Sequence, residues 1–159
     1  MARPSQQKLN SLYKHYQNGR YDDAEKLAIS ISQQFPRHNF SWKVLGMVFK
    51  KTGRISESLV ASQKAVEINS KDAEARNNLG ITLKELGRFE EAEANYKQAI
   101  ALKFDYAEAH RNLGNTLKEL GRIEEAIASY RQALELQPEH AATKHLLAAL
   151  TGETTKSPP

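Results

Sequence analysis

A chain of 159 residues without cysteine has no thiolate nucleophile, no Cys-bearing zinc or iron–sulfur site and no disulfide framework. Its 23 Lys and Arg against 19 Asp and Glu give a net charge of +4, and the mean hydropathy of −0.65 belongs to a chain with much polar surface. No apolar run approaches the ~20 residues that span a bilayer, and the opening MARPSQQKLN carries no apolar signal core, so the expectation is a cytoplasmic chain without membrane contact.

The basic excess is uneven. Residues 1–72 hold 12 basic and 6 acidic side chains, and residues 73–159 hold 11 and 13. Neither half clusters Lys and Arg with interleaved aromatics on one face, so a nucleic-acid partner is not expected.

After a lead-in over 1–4 the chain divides at a fixed period. Residues 73–106 and 107–140 align without a gap and agree at 21 of 34 positions, a period in the solenoid range. One step back, 39–72 keeps Leu45-Gly46, the Gly53-Arg54 turn and Ala65. The unit 5–38 keeps the Gly19-Arg20 turn, Ala24 and Pro36, but has Ser11-Leu12 in place of Leu-Gly.

Each unit predicts two helices. In the third, Leu79, Leu83 and Leu86 fall at i, i+4 and i+7, and Gly87 then supplies the residue that passes a helix end in the left-handed region. A second stripe runs from Phe89 through Ala92, Tyr96, Ala99 and Ile100, with Glu90 and Glu91 in its first turn, where carboxylates oppose the positive end of the helix dipole. Gly46, Gly80 and Gly114 sit inside first helices, where glycine costs roughly 1 kcal/mol against alanine. The expected compensation is close approach of the paired helix, permitted by recurring alanines such as Ala92 and Ala126, with Trp42, Tyr96 and Tyr130 filling the spaces between pairs.

Residues 141–152 predict a terminal helix in which Leu146, Leu147 and Leu150 with Ala148 and Ala149 leave most of the circumference apolar. Such a helix expects a further cover, from self-association through 141–151 or from a following domain. Residues 153–159 read as a polar, proline-bearing tail with linker chemistry.

The Leu-Gly pair, the turn glycine, the following Ala, Tyr and Ala, and the terminal Pro36 and Pro138 resemble the tetratricopeptide repeat. Ser70 and Phe104 depart from the pattern where that proline would stand. The resemblance implies an all-α, right-handed superhelical solenoid of antiparallel helix pairs over 5–152, with repeats at 5–38, 39–72, 73–106 and 107–140 and the terminal helix at 141–152. It also implies a concave face lined by the first helix of each pair, and a non-catalytic role in protein–protein interaction. HLLAALTGETTKSPP resembles the junction at which such repeats precede a methyltransferase domain in bacterial proteins, which would make the chain a substrate-docking or regulatory region of a larger enzyme.

On the first helices, residues left over from the apolar stripe are expected to face solvent. They include Asn78 and Asn112 at one register, Asn77 and Arg111 beside them, Asn115 one turn on, and a lysine row at Lys50, Lys84 and Lys118. A primary amide offers both donor and acceptor, so a row of asparagines can pair with the backbone of an extended peptide whatever its sequence. With repeats advancing by roughly 10 Å and an extended peptide by ~3.3 Å per residue, successive asparagines would meet every third peptide residue. The lysines would favour acidic groups. The ladder resembles the asparagine-lined groove of O-linked N-acetylglucosamine transferases more than the carboxylate clamp of heat-shock cochaperones, which Lys43, Asn78, Arg111 and Asn115 supply only in part.

Catalysis and cofactors are not expected. His15, His38, His110, His140 and His145 are scattered, and the adjacent pairs Glu90-Glu91 and Glu124-Glu125 diverge around a helix. No phosphate-binding glycine loop or nucleophile elbow occurs.

Overall fold

A computed structural model describes residues 2–153, so the tail expected at 153–159 lies outside the described residues from 154 onward. Among the described residues the chain forms nine helices and no strand. They pair as α1 (Gln6–Gln17) with α2 (Tyr21–Gln34), α3 (Asn39–Lys51) with α4 (Ile55–Ile68), α5 (Ala73–Glu85) with α6 (Phe89–Leu102), and α7 (Ala107–Glu119) with α8 (Ile123–Leu136), followed by α9 (Ala141–Thr151).

Within each pair the turn is fixed by hydrogen bonding. Gly87 has φ of +74°, and the N–H of Arg88 donates to the carbonyl of Leu83 at 2.9 Å, the six-to-one bond that closes a helix on a left-handed residue. Arg20 to His15, Arg54 to Phe49 and Arg122 to Leu117 repeat the bond. Between units a tighter bond reverses the chain, as from the N–H of Asp72 to the carbonyl of Asn69. Asp72 then caps α5 through the N–H of Ala75.

Consecutive units stack. Each second helix packs on the next first helix, and first helices also touch one another, α1 with α3, α3 with α5 and α5 with α7. No comparable contact links α2, α4, α6 and α8 among the described residues. First helices therefore form the crowded inner surface and second helices the outer one. The core runs in two clusters, one around Leu12, Ala28, Ile31, Val44 and Val48, the other around Leu79, Leu83, Tyr96, Leu117 and Tyr130, with half-buried Trp42 against both.

The helix glycines are explained differently from expectation. Tyr96 and Tyr130 each lie over the glycine of the facing helix in their own pair, and both belong to the core cluster that continues into the neighbouring unit. A Cβ on Gly80 would stand 2.6 Å from Cε1 of Tyr96, and one on Gly114 would stand 2.6 Å from Cε1 of Tyr130. The ring needs the space a methyl group would take. Helix α9 lays Leu146, Leu147 and Leu150 partly against the second cluster, so its apolar surface is shared between core and solvent.

Gly114→Ala improves helix propensity and still lowers the urea midpoint, by roughly 1–3 kcal/mol of stability, because overpacking forces the Tyr130 ring aside. An unchanged or higher midpoint would contradict the ring contact.

Candidate functional site

The inner surface holds a recess of about 190 Å³ between α3 and α5, lined by Tyr16, Gly46, Met47, Lys50, Lys51, Ser62, Asn78, Ile81, Thr82 and Glu108. A wider recess of about 640 Å³ lies at the edge formed by the turn between the first two units, against Phe35, Pro36, Arg37 and Ile68. The nine residues expected on the concave surface divide sharply by the partners they already have.

Five are tied into the fold. Asn77 was expected to face solvent and is fully buried, with Nδ2 donating to Tyr106 Oη and Glu108 Oε1, both at 3.3 Å. Its Oδ1 accepts from Nδ2 of Asn112 at 3.1 Å. The register of equal asparagines is therefore broken: Asn112 bridges to Asn77 and helps join α7 to α5. Arg111 Nη1 donates to His140 Nε2 at 3.3 Å, and Asn115 Oδ1 accepts from Tyr130 Oη at 2.6 Å. Burial pushes the Tyr130 phenol up to about 12, so it stays a donor across the working pH range.

Lys43 is the fifth. Its Nζ lies 3.0 Å from Asp72 Oδ2 and 3.4 Å from Glu74 Oε1, and its side chain is only 12% exposed. Asp72 also accepts from Asn39 Nδ2 at 3.0 Å and from the N–H of Ala75. Burial alone would raise Asp72, but the Ala75 N–H, Lys43 and Asn39 outweigh it and hold the carboxyl below its ordinary value. This cluster joins α3 to the start of α5.

The other four have no such commitments. Lys50, Lys84 and Lys118 are half-buried, each in the last turn of its helix, and make no ion pair among the described residues. Part of their role is to oppose the negative end of the helix dipole. Half-buried Asn78 lines the recess, and its Nδ2, turned inward beneath the recess wall, has no hydrogen-bond partner among the described residues. A buried polar group left unpaired costs about 1–3 kcal/mol, which a turn of the amide toward an acceptor in the recess would relieve.

Sequence reasoning missed Tyr16, Met47, Ile81 and Glu108 as lining residues. The signal was present in the repeat itself, since Met47 and Ile81 occupy the register of Asn115, and Tyr16 occupies that of the lysine row. It also missed two ion pairs that staple neighbouring units on the outer side. Arg54 Nη1 meets Glu25 Oε2 at 2.8 Å, and Arg122 Nη1 meets Glu93 Oε1 at 2.7 Å. Leu59 stands at the equivalent position between the second and third units. Burial opposes ionisation of Glu93, but Arg122 and Lys97 prevail and hold its carboxyl below its ordinary value.

Among the described residues no group of three or more His, Asp and Glu side chains is placed to hold a metal ion. No helix of the described residues is long and apolar enough to cross a membrane.

Paired helices stacked so that one helix of each pair lines a common inner surface define a helical-repeat scaffold. Three repeat models match the sequence, one described as TPR repeat at 82–121 and two as tetratricopeptide repeat at 61–94 and 107–140. Together they run from 61 to 140, half of the chain, and the protein belongs to the tetratricopeptide-repeat family. The matched models are of repeats alone, and the likeness of the last residues to a methyltransferase junction finds no support in them.

A search of curated proteins returned no match. Among solved structures the chain is similar to MamA, with a TM-score of 0.80 and 22% identity over 87% of this chain and 81% of that one. It is also similar to YrrB, described as a TPR protein with an unusual peptide-binding site, with a TM-score of 0.77 and 24% identity over 87% of this chain and 72% of that one. The first TPR of Spaghetti (RPAP3), bound to the HSP90 peptide SRMEEVD, gives a TM-score of 0.70 and 24% identity over 72% of this chain and 90% of that one. At these identities the likeness shows the fold.

Two outcomes follow from the division of roles. Lys43→Ala lowers stability by about 1–3 kcal/mol in urea titration, since it strips a part-buried carboxylate of its cation, whereas Lys50→Ala leaves the midpoint nearly unchanged. Equal effects would contradict the assignment. A carboxyl depressed in the folded state contributes stability that is complete above its unfolded value and lost as pH falls through its folded value. Unfolding titrations should therefore show Glu93→Gln less stable than the parent at pH 7, with the gap closing as the pH is taken below the ordinary Glu value of 4.5. A gap that stays constant with pH would contradict it.

Proposed function

We propose that this chain is a non-catalytic interaction module that holds an extended, acidic peptide segment against the concave face formed by α3, α5 and α7. The single observation that carries the reading is Asn78, whose amide lines the inner recess without a hydrogen-bond partner beside unpaired Lys50 and Lys84 on neighbouring first helices. An extended peptide brings a backbone carbonyl for the amide and carboxylates for the lysines. Lys118 continues the same row toward the fourth unit.

The neighbours support the class of partner. YrrB is described by its peptide-binding site, and the RPAP3 domain holds a peptide that contains two glutamates and an aspartate. Lys43, Asn77 and Asn112 join neighbouring first helices, while Arg111 ties α7 to the start of α9 and Asn115 ties it to α8.

Fluorescence-polarisation titration of an array of acidic peptides tests the reading. Asn78→Ala and Lys50→Ala are each expected to weaken the best binder by about tenfold, the loss of one hydrogen bond to a charged or backbone group. Raising the salt concentration weakens binding further, as exposed charges are screened. Binding that is indifferent to both substitutions and to salt would overturn the proposal.

A further inference from the structure

The position where paired helices cross carries one large and one small side chain in three of the four units. Gly80 faces Tyr96 and Gly114 faces Tyr130, and in the first unit the roles are exchanged between Leu12 and Ala28, both fully buried. The second unit alone sets small against small, Gly46 against Ser62. Helices α3 and α4 close part of the gap: Ser62 Oγ lies 2.6 Å from where a Gly46 Cβ would stand, and Ser58 Oγ donates to the Gly46 carbonyl at 2.8 Å. The remainder is the 190 Å³ recess, which opens onto the concave face.

Its size and lining match one ring. An apolar cavity of about 150 Å³ takes up benzene. Met47 and Ile81 supply apolar walls, while Ser62 and the unpartnered amide of Asn78 supply polar atoms that a phenol can meet; the Thr82 hydroxyl is taken up by Ser58 and the Asn78 carbonyl. Lys50 and Lys51 stand at the lysine edge without an ion pair among the described residues. Glu108, on the opposite wall, accepts from Asn77, which leaves the basic edge as the side for carboxylates.

We propose that this recess is an anchor pocket for one aromatic side chain, tyrosine above all, of a peptide with acidic residues on either side of it. The inference deepens the groove reading and rests on it. Its commitment is to a particular side chain at a particular place, where the second unit lacks the ring its neighbours carry.

The test uses two probes on the full chain. The first is p-cresol, followed through the methionine methyl resonances, since Met47 and Met1 are the two methionines. The second is a pair of acetylated peptides, Glu-Asp-Tyr-Glu-Asp and Glu-Asp-Ala-Glu-Asp. The parent should show a saturable Met47 shift and prefer the tyrosine peptide by about tenfold or more, the effect of burying one aromatic ring.

Ser62→Tyr gives the second unit the glycine–tyrosine pairing of the third and fourth, so it should abolish the Met47 shift and bring the two peptides within about twofold of each other. Ile81→Asn is the second variant, independent of how α3 and α4 close. It places at this register the residue that Asn115 is in the fourth unit, where Tyr130 bonds to it, and it offers the buried, unpartnered Tyr96 hydroxyl the same partner. It too should weaken the Met47 response.

Equal affinity of the two peptides for the parent, or a Met47 response that survives Ser62→Tyr, overturns the pocket. Failure of both peptides to bind, with a Met47 response that Ser62→Tyr removes, upholds the pocket and overturns the groove reading.

Discussion

In a pair of antiparallel helices, a large side chain on one seated on a small residue of the other fixes how closely the two cross. That constraint organises this molecule. A ring seated on Gly80 or Gly114 leaves no room for a methyl group, and it sets how near the first helix comes to the second. Once the pair is closed, its remaining apolar faces are covered only by the units before and after it, so the four pairs are stable as a stack and not singly. The modest apolar fraction and the elongated shape follow from the same arrangement.

The exceptions to the constraint are informative. The first unit obeys it with the large and small partners exchanged, which keeps the volume and loses the Leu-Gly signature. The second unit disobeys it, and an open recess on the inner surface is the result. The polar groups around that recess follow a similar division. Most of the amide and basic side chains on the first helices are consumed in holding neighbouring units together, as Asn77 is by Tyr106, Glu108 and Asn112. Asn78 and the lysine row are left over, and Asn78 and Lys50 line the recess.

Much of this was legible in the sequence because it is local. The turn glycines, the helix stripes and the period depend on residues within a few positions of each other. Asn77 and Asn78 show where legibility ends: identical and adjacent, they point about 100° apart around the helix, one into the seam with the next unit and one into the recess. The partners of Asn77 lie 29 to 35 residues away, and which of two neighbouring amides meets them depends on the rotation of one unit against the next. The staples of Arg54 to Glu25 and Arg122 to Glu93, each 29 residues apart, were hidden for the same reason. The contact of each tyrosine ring with the glycine of its partner helix was not legible either, since an alanine stripe reads as the site of close approach until a ring is seen over the glycine.

On the proposed reading, the inner surface of the first helices is the working surface. Amide chemical-shift mapping with an acidic tyrosine-containing peptide tests it most directly. The perturbed amides are expected to concentrate on α3, α5 and α7 around Lys50, Asn78 and Lys84. Perturbations confined to α2, α4, α6 and α8 would place the partner on the outer surface and contradict it.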